Sequence, residues 1–320
     1  MQAIFEVTFP FFALVLCGYL AARRGVLPEA AIPGLNIFVL FFALPCMLFR
    51  FGASTPFAEL VNPVWLGLYI ACALLIVFVT MAQSLASGVN LKDAAFGALV
   101  AAFPNTGFMG VPLIVALMGE RAAGPVIVTI LADLFVTSSL CLALAQSGGG
   151  HWRNSLGKAL RGALSNPLPW SIAAGAAVSL GELSLPGPVD RMIGMLGNAA
   201  SPVALFTIGA VLWRSQKNLN RPTPVSDYAP IVFIKLVVHP VLVLAAGLVA
   251  LRLGLPLDHF ALTALVLAAA LPSASNVSLL AERFAADNGR IARIILWSTA
   301  LAFLSFSSVV RLFATSATSG

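Results

Sequence analysis

The chain has 320 residues, of which 60% are hydrophobic and only 9% are charged, and its mean hydropathy is +0.98. A water-soluble domain could not bury that much apolar surface, so the composition indicates a polytopic membrane protein surrounded by membrane lipids. The net charge of +6 comes from basic residues that stand singly or in twos and threes between apolar stretches. Because they form no longer run, they exclude a nucleic-acid partner and act as signals of membrane topology.

Apolar stretches of about 20 residues, the length that crosses a bilayer, occur ten times along the chain. They predict an all-α polytopic membrane protein with ten transmembrane helices. Turn residues separate them, for example Gly25 with Pro28 and the three glycines at 148–150. The first stretch leads into Arg23 and Arg24 and not into a small-residue cleavage site, so we expect it to be retained as a span. The predicted spans are 4–22, 33–51, 63–84, 94–118, 123–146, 164–181, 193–213, 228–251, 258–283 and 290–313.

Basic residues distinguish the two sides of the membrane. With ten spans both termini share a side, and the loops between spans alternate. One side then carries twelve basic residues and the other five, while Lys235 falls within the eighth span. The positive-inside bias assigns the richer side to the cytoplasm, so both termini are predicted to lie outside the cell membrane. The twelve are Arg23, Arg24, Lys92, Arg153, Lys158, Arg161, Arg214, Lys217, Arg221, Arg283, Arg290 and Arg293, and the five are Arg50, Arg121, Arg191, Arg252 and Arg311.

The fourth predicted span contains a break. It lies within the uncharged stretch 94–119, yet residues 103–112 (FPNTGFMGVP) include two prolines, two glycines and an Asn-Thr pair. In hydrocarbon every backbone polar group needs a partner inside the protein, so an unwound helix at this depth persists only where it is buried or lines a cavity. The break therefore predicts a site, whose candidate residues are Pro104, Asn105, Thr106 and Gly107.

Charged residues occur inside the fifth and eighth spans. Asp133 is the one acidic residue that falls well inside a predicted span. Carboxylates in such positions usually face a cavity or a partner, so Asp133 is a candidate for substrate or ion coupling. An antiporter with paired aspartates would need a second acid where Ala132 or Leu134 stands. Lys235 and His239 are four residues apart and share a helix face, which makes them further coupling candidates. The structural alternatives are an Asp133–Lys235 pair, a Lys235 that snorkels to the membrane surface, and a His239 that only packs.

The two halves of the chain repeat. Residues 45–53 (PCMLFRFGA) match 202–210 (PVALFTIGA) at five of nine positions, and residues 97–104 (GALVAAFP) match 265–272 (LVLAAALP) at four of eight. The matches pair span two with seven and span four with nine. Each half has five spans, an odd number, so the second half must enter the membrane in the opposite direction. This pattern predicts a 5+5 inverted repeat, residues 1–151 and 152–320, as in secondary transporters.

The repeat identifies a second break in the ninth span. Pro104 aligns with Pro272, which opens the small polar cluster at 271–278 (LPSASNVS). With inverted topology the broken helices four and nine should cross near the bilayer midplane. The helix N-termini after the two prolines would then carry unpaired N–H groups and a partial positive charge, which suits an anion. The candidate residues of the second break are Pro272, Ser273, Ser275 and Asn276.

The PNTGFMGVP run and the Pro272–Asn276 cluster with the LLAERF run at 279–284 resemble the motifs of the auxin efflux carrier family. Bacterial members of that family are often described as malonate or malate carriers. The resemblance implies a fold like that of sodium/bile-acid symporters, with a scaffold of spans 1, 2, 6 and 7 and a transport domain of spans 3–5 and 8–10. It also implies that Pro104 and Pro272 are crossover prolines, that Asn105 and Asn276 hydrogen-bond a carboxylate, and that a homodimer forms through the scaffold.

These features predict a secondary active transporter of a small organic anion, a mono- or dicarboxylate such as malonate or malate, with elevator-like alternating access. The coupling ion is Na⁺ or H⁺, no cofactor is expected, and a Na⁺ site could form near Asn105, Asp133 and Asn276. An auxin-like exporter of aromatic carboxylates is the alternative within the family, although the long hydrophilic loop of the plant members is missing. A membrane-embedded enzyme or sensor is the alternative in another class, but no histidine stands in an HExxH context and no Gly-x-Ser-x-Gly motif occurs.

Overall fold

The computed structural model describes residues 2–60, 62–146, 157, 160–217 and 223–317. Apart from turns, bends and one isolated backbone bridge, the secondary structure within these ranges is helical. The predicted turn at 148–150 lies outside them, as do His151, Arg153, Lys158 and Arg221.

The long helices are numbered here in chain order, and four of them contain a wider π-helical turn. The π-helical segments are Val39–Ala43, Thr106–Gly110, Asp133–Thr137 and Ile234–Val238. The helices are α1 (Gln2–Arg23), α2 (Glu29–Ser54), α3 (Pro63–Ala86), α4 (Leu91–Ala102), α5 (Thr106–Met118), α6 (Glu120–Gln146), α7 (Pro167–Leu180), α8 (Gly187–Lys217), α9 (Val225–Arg252), α10 (His259–Ala270), α11 (Val277–Arg283) and α12 (Asn288–Ala317).

Length and composition identify a polytopic membrane protein. Among the described residues, six helical stretches are long and apolar enough to cross a bilayer, namely α2, α6, α8, α9, α12 and the stretch that ends with α3. Four shorter apolar helices lie in α1, α5, α7 and α10. The predicted spans 94–118 and 258–283 are each interrupted, because α4 stops before α5 begins and α10 stops before α11 begins.

Helices α1 and α8 approach so closely that only glycine fits at the contact. A β-carbon on Gly18 would overlap the carbonyl oxygen of Phe206, and a β-carbon on Gly209 would overlap the carbonyl oxygen of Val15. Small residues of this kind let the backbones of membrane helices meet, which maximises van der Waals contact where water cannot drive association.

Helices α2 and α7 meet through a second contact of the same type. A β-carbon on Gly175 would overlap the carbonyl oxygen of Phe49, and one on Gly52 would lie 2.6 Å from the carbonyl oxygen of Ile172. Because α2 also packs on α8, the helices α1, α2, α7 and α8 form one connected group.

The other helices form a second group around the two interrupted spans. Helix α4 packs on α3 and α6, while α10 packs on α6, α9 and α12. One end of this group is held by Arg290, whose side chain is 5% exposed. Its guanidinium donates to the carbonyl oxygens of Asp227 at 2.9 Å and Asp93 at 3.1 Å and to the Ser84 hydroxyl at 3.2 Å. A single buried cation thereby joins α3, α4, α9 and α12.

Two ion pairs link segments that are distant in the described chain. Arg121 pairs with Asp258 at 3.3 Å, and Lys217 pairs with Glu29 at 2.9 Å. Each pair joins residues that the predicted loop alternation assigns to the same side of the membrane. The pairs are exposed to solvent and therefore contribute little free energy.

Candidate functional site

The first break follows from the position of Pro104. Helix α4 ends at Ala102, and Phe103 is extended with φ −99° and ψ 98° because a residue before proline disfavours the helical conformation. The chain turns at Asn105 and resumes as the π-helical start of α5. The carbonyl oxygen of Asn105 accepts hydrogen bonds of 3.0 Å from the amides of Met109 and Gly110, which begins that helix.

The second break has the same construction. Helix α10 ends at Ala270, and Leu271 is extended with ψ 155° in front of Pro272. Helix α11 begins at Val277 after Asn276, which is half-buried. Both helices that enter a break start with a polar N-cap, Asn90 for α4 and Asp258 for α10, whose side chains accept a backbone amide.

The two breaks lie against each other as a short antiparallel pair. The amide of Asn105 donates to the carbonyl oxygen of Pro272 at 2.8 Å, and the amide of Ala274 donates to the carbonyl oxygen of Phe103 at 3.0 Å. Ser273 links the second break to two other helices. Its hydroxyl donates to the carbonyl oxygen of Val100 in α4 at 2.7 Å, and its amide donates to the Ser298 hydroxyl in α12 at 3.2 Å. Backbone groups freed by the two prolines thus satisfy one another.

A small cavity of about 30 Å³ lies at this meeting point. Four predicted site residues line it: Pro104, Asn105, Gly107 and Asn276. Apolar side chains form most of its remaining wall, and the space suffices for one or two water molecules but not for a dicarboxylate.

The other predicted residues of the breaks are placed differently. Thr106 is buried and its hydroxyl has no hydrogen-bond partner among the described residues. Ser273 is occupied with backbone groups, and the carbonyl oxygen of Ser275 accepts the Ser278 hydroxyl at 3.0 Å. Pro272 contributes the carbonyl oxygen that pairs with Asn105.

Asn166 also lines the cavity and was not identified from the sequence. It stands before Pro167 as the N-cap of α7, and its side-chain oxygen accepts the amide of Leu168 at 3.0 Å. An Asn-Pro pair is an ordinary helix-start signal, so its sequence context gives no sign of a cavity. Its position brings a polar side chain from the α1, α2, α7 and α8 group to the two breaks.

The three coupling candidates form a separate cluster that is completely buried. Asp133, Lys235 and His239 each have 0% exposure. The Lys235 ammonium donates to the carbonyl oxygen of Ala269 at 2.8 Å and lies 3.2 Å from His239 Nδ1. Lys235 therefore does not snorkel to the membrane surface, because the end of α10 binds its ammonium inside the protein.

Asp133 belongs to this cluster and not to the small cavity. Its Oδ1 accepts the Thr137 hydroxyl at 3.2 Å, while Oδ2 has no hydrogen-bond partner among the described residues. Lys235 acts on the carboxyl group electrostatically, but neither ion pair of the described chain joins them. The residues proposed for a Na⁺ site are thus divided, with Asn105 and Asn276 at the cavity and Asp133 outside its lining.

Tyr69 is a fourth member of the cluster that the sequence did not indicate. It is completely buried, its ring centroid lies 5.8 Å from that of His239, and its phenol interacts with Asp133. A tyrosine in an apolar span is usually a packing or interfacial residue, so only the tertiary contacts distinguish this one.

A larger open cavity of about 1110 Å³ lies at the predicted outer end of the helices. Arg50 in its wall donates to the side-chain oxygen of Asn198 at 3.3 Å. Pro112 of α5 also lines this cavity, together with Glu120, Glu182 and Asp190. Through Pro112 the cavity reaches the helix that follows the first break.

Comparison with known proteins shows a full-length relationship. Residues 3–310 match the family model described as membrane transport protein. The chain is 31% identical over 322 aligned residues to a protein of Rhizobium meliloti strain 1021 named "Putative malonate transporter", which covers 98% of this chain and 96% of that protein. It is 27% identical over 296 residues to "Uncharacterized transporter YfdV" of Escherichia coli K12, covering 86% of each. An "Uncharacterized transporter" of Methanothermobacter thermautotrophicus is 26% identical over 312 residues, covering 94% and 95%.

Proposed function

Because the chain belongs to the membrane transport protein family, the auxin efflux carrier family, and is a transporter rather than an enzyme, we propose that it is a secondary active transporter of small organic anions. The proposed substrates are mono- or dicarboxylates such as malonate or malate. The similarity to a protein named as a malonate transporter favours malonate as the first substrate to test.

The contact between the two breaks carries this proposal. It brings Asn105 and Asn276 to one cavity, although 171 positions separate them in the sequence (276 minus 105). Asparagine amide groups donate hydrogen bonds to a carboxylate. Of the first four N–H groups of α5, those of Thr106 and Met109 donate to Pro104 and Asn105, which leaves those of Gly107 and Phe108 for an anion. Such a site attracts an anion without a buried cation of its own. At the second break the expectation of unpaired N–H groups is wrong, because Val277 and Ser278 donate to Ala274 and Ser275.

Alternating access follows from the size of the cavity and the grouping of the helices. A cavity of about 30 Å³ must widen before a dicarboxylate can enter. Its wall combines Asn166 of α7 with Asn105 of the second helix group. We assign α1, α2, α7 and α8 to a scaffold and the other long helices to a transport domain, which carries both breaks. Elevator-like movement of the transport domain along the scaffold would open the cavity to each side in turn.

Two regularities support the ten-span, 5+5 inverted repeat of residues 1–151 and 152–320. The N-caps Asn90 and Asp258 each stand 14 residues before the proline of their break (104 minus 90 and 272 minus 258). The close helix contacts also follow the repeat, since Gly52 and Gly209 occupy aligned positions and each meets a helix of the other half. Backbone geometry is therefore similar where the side chains differ.

The proposed location is the cell membrane, with both termini outside. The excess of basic residues on the side of Lys217 and Arg290 supports a cytoplasmic position for that side. A homodimer through the scaffold stays a proposal taken from the family resemblance. Na⁺ or H⁺ is the proposed coupling ion, and no other cofactor is part of the proposal.

Malonate uptake by proteoliposomes tests this function. Wild-type protein should take up and exchange labelled malonate with saturation, and malonate should raise the melting temperature of the purified protein. Asn105→Ala and Asn276→Ala should abolish both effects, because each removes an amide from the cavity. Asn36→Ala is the matched control, since it removes an asparagine from scaffold helix α2 that does not line the cavity.

Uptake at the wild-type rate by both cavity variants would remove the breaks from the mechanism. Stabilisation by an aromatic monocarboxylate but not by malonate or malate would favour the auxin-like alternative. Non-saturable flux without counterflow would contradict a carrier mechanism.

A further inference from the structure

The cluster around Asp133 has fewer hydrogen bonds than its polar atoms require. Tyr69, Asp133, Lys235 and His239 are all completely buried. Within the described residues, Tyr69 Oη, Asp133 Oδ2 and His239 Nε2 make no well-formed hydrogen bond, although the Tyr69 phenol is close enough to interact with the Asp133 carboxyl group. Buried polar groups are normally paired, so three incompletely bonded atoms in one cluster indicate a function.

The contacts define the protonation states that the cluster can adopt. When Lys235 carries an ammonium, it can only donate, so His239 Nδ1 at 3.2 Å accepts and the neutral imidazole has its proton on Nε2; a neutral Lys235 amine could instead accept from Nδ1–H. Thr137 donates to Asp133 Oδ1, whereas Oδ2 makes no well-formed hydrogen bond. A proton can therefore add to Asp133 Oδ2 without displacing the Thr137 hydroxyl.

The titratable groups that act on Asp133 come from α3 and α9, while α4, which also packs on its segment, contributes a buried apolar face. Lys235 of α9 and Tyr69 of α3 act on its carboxyl group, and Cys72 of α3 acts on Tyr69. Helix α10 contributes a backbone carbonyl, that of Ala269, through Lys235. The Lys235 ammonium opposes any added positive charge in this low-dielectric space, but a proton bonds a single carboxyl oxygen and needs no further oxygen ligands, whereas Na⁺ does.

We propose that Tyr69, Asp133, Lys235 and His239 form a proton-binding site, in which Asp133 takes one proton from water on one side of the membrane and releases it to water on the other. The proton forms a bond to Oδ2 on loading and leaves as hydronium on release. This inference rests on the proposed function as a secondary transporter and identifies its coupling ion as H⁺.

Lys235 connects the proton site to the second break. Ala269 lies in the last turn of α10, where carbonyl oxygens lack helical partners and the helix dipole favours a positive charge. An ionised Asp133 attracts the ammonium away from that position, and a protonated Asp133 leaves it there. Protonation of Asp133 thereby changes how strongly the Lys235 ammonium binds the C-terminal end of α10, which precedes Pro272 and Asn276. Asp133 and Lys235 are positioning residues in this scheme and do not contact the anion.

Proteoliposomes with an internal pH-sensitive dye test the coupling. With wild-type protein and no Na⁺, uptake of labelled malonate should be accompanied by entry of protons, which the dye reports as a fall in internal pH. With the membrane potential held at zero by K⁺ and valinomycin, one proton per malonate across one pH unit supports up to about tenfold accumulation. Asp133→Asn should retain malonate exchange at equal pH but lose both proton movement and accumulation. Thr129→Val is the matched control, because Thr129 is equally buried in α6 and bonds only the carbonyl oxygen of Val126 in its own helix.

A measurement without substrate separates this inference from the substrate assignment. Infrared difference spectra between acidic and alkaline pH should contain a carboxylic-acid band that is present in wild type and Thr129→Val but absent in Asp133→Asn. Tyr69→Phe should move the pH at which the band is half-formed, an effect that a purely structural tyrosine would not produce.

The outcomes are distinct. Absence of an Asp133 band, or accumulation that follows a Na⁺ gradient and ignores pH, would overturn the proton site even if malonate is transported. An Asp133 band in a protein that does not transport malonate would support the proton site and contradict the proposed substrate.

Discussion

Proline determines how the residues of the two breaks must bond. The carbonyl oxygen of Val100 would ordinarily accept the amide of residue 104 in an α-helix, but Pro104 has no N–H. The Ser273 hydroxyl replaces that donor at 2.7 Å, and both residues are buried. A serine on one broken helix thus completes the backbone hydrogen bonding of the other.

Ser273→Ala should therefore destabilise the protein. The substitution leaves the Val100 carbonyl oxygen buried without a donor, which costs about 1–3 kcal/mol. Ser275→Ala serves as the control, because Ser275 bonds Ser278 through its backbone carbonyl, which the substitution retains. Thermal unfolding in detergent measures both variants. Equal melting temperatures for the two would show that the Ser273 hydroxyl is dispensable.

The sequence did not distinguish these two serines. Both stand in the same polar cluster next to Pro272, and both were predicted as substrate contacts. Their difference depends on a partner 173 positions away, since Ser273 faces Val100 of α4. Tyr69 and Asn166 were missed for the same reason, because their significance arises from tertiary contacts and not from local pattern.

At the scale of helices, the α1–α8 contact depends on the absence of side chains. Gly209 lies against backbone atoms of Val15 and Tyr19, so no rotamer change can make room for a larger residue. Backbone atoms move only if the two helices separate, which would weaken the whole contact.

Gly209→Ala should lower the stability by about 1–3 kcal/mol, the usual cost of overpacking. Gly67→Ala in α3 is the matched control, because a β-carbon there meets no atom within 4 Å. Melting temperatures in one detergent compare the two directly. A stability of Gly209→Ala equal to that of Gly67→Ala would contradict the close contact.

The sequence predicted the interruptions within the helices but not the wider turns. Two prolines with polar neighbours in uncharged spans indicate breaks within 103–112 and 271–278, and in the structure the helices are interrupted at 103–105 and 271–276. The π-helical segment that begins at Asp133 carries no proline or glycine signal, whereas the one that begins at Ile234 ends just before Pro240. Such turns depend on how neighbouring helices pack, and they are often found at functional sites.

At the scale of the whole molecule, the proposed topology assigns opposite sides to the two ends of the bundle. The Arg121–Asp258 pair lies at one end, and the Lys217–Glu29 pair and Arg290 lie at the other by loop alternation. Each observed pair is compatible with that alternation. Which end faces the cytoplasm depends on charge bias alone.

Cysteine labelling of intact cells tests the orientation. In a Cys17→Ala background, which removes the exposed native thiol, Glu182→Cys should react with a membrane-impermeant maleimide, because Glu182 is exposed at the predicted outer end. Ser226→Cys, exposed near Asp227 at the other end, should react only after permeabilisation. The reverse pattern would place both termini in the cytoplasm.

The Arg290 contacts also bear on how the protein is made. Arg290 binds groups on α3, α4 and α9, and it belongs to α12, which follows all three in the chain. The α4 break likewise pairs with a segment that follows α10, and α1 packs on α8. During biosynthesis each of these contacts can therefore form only after the later of its two segments has been synthesised.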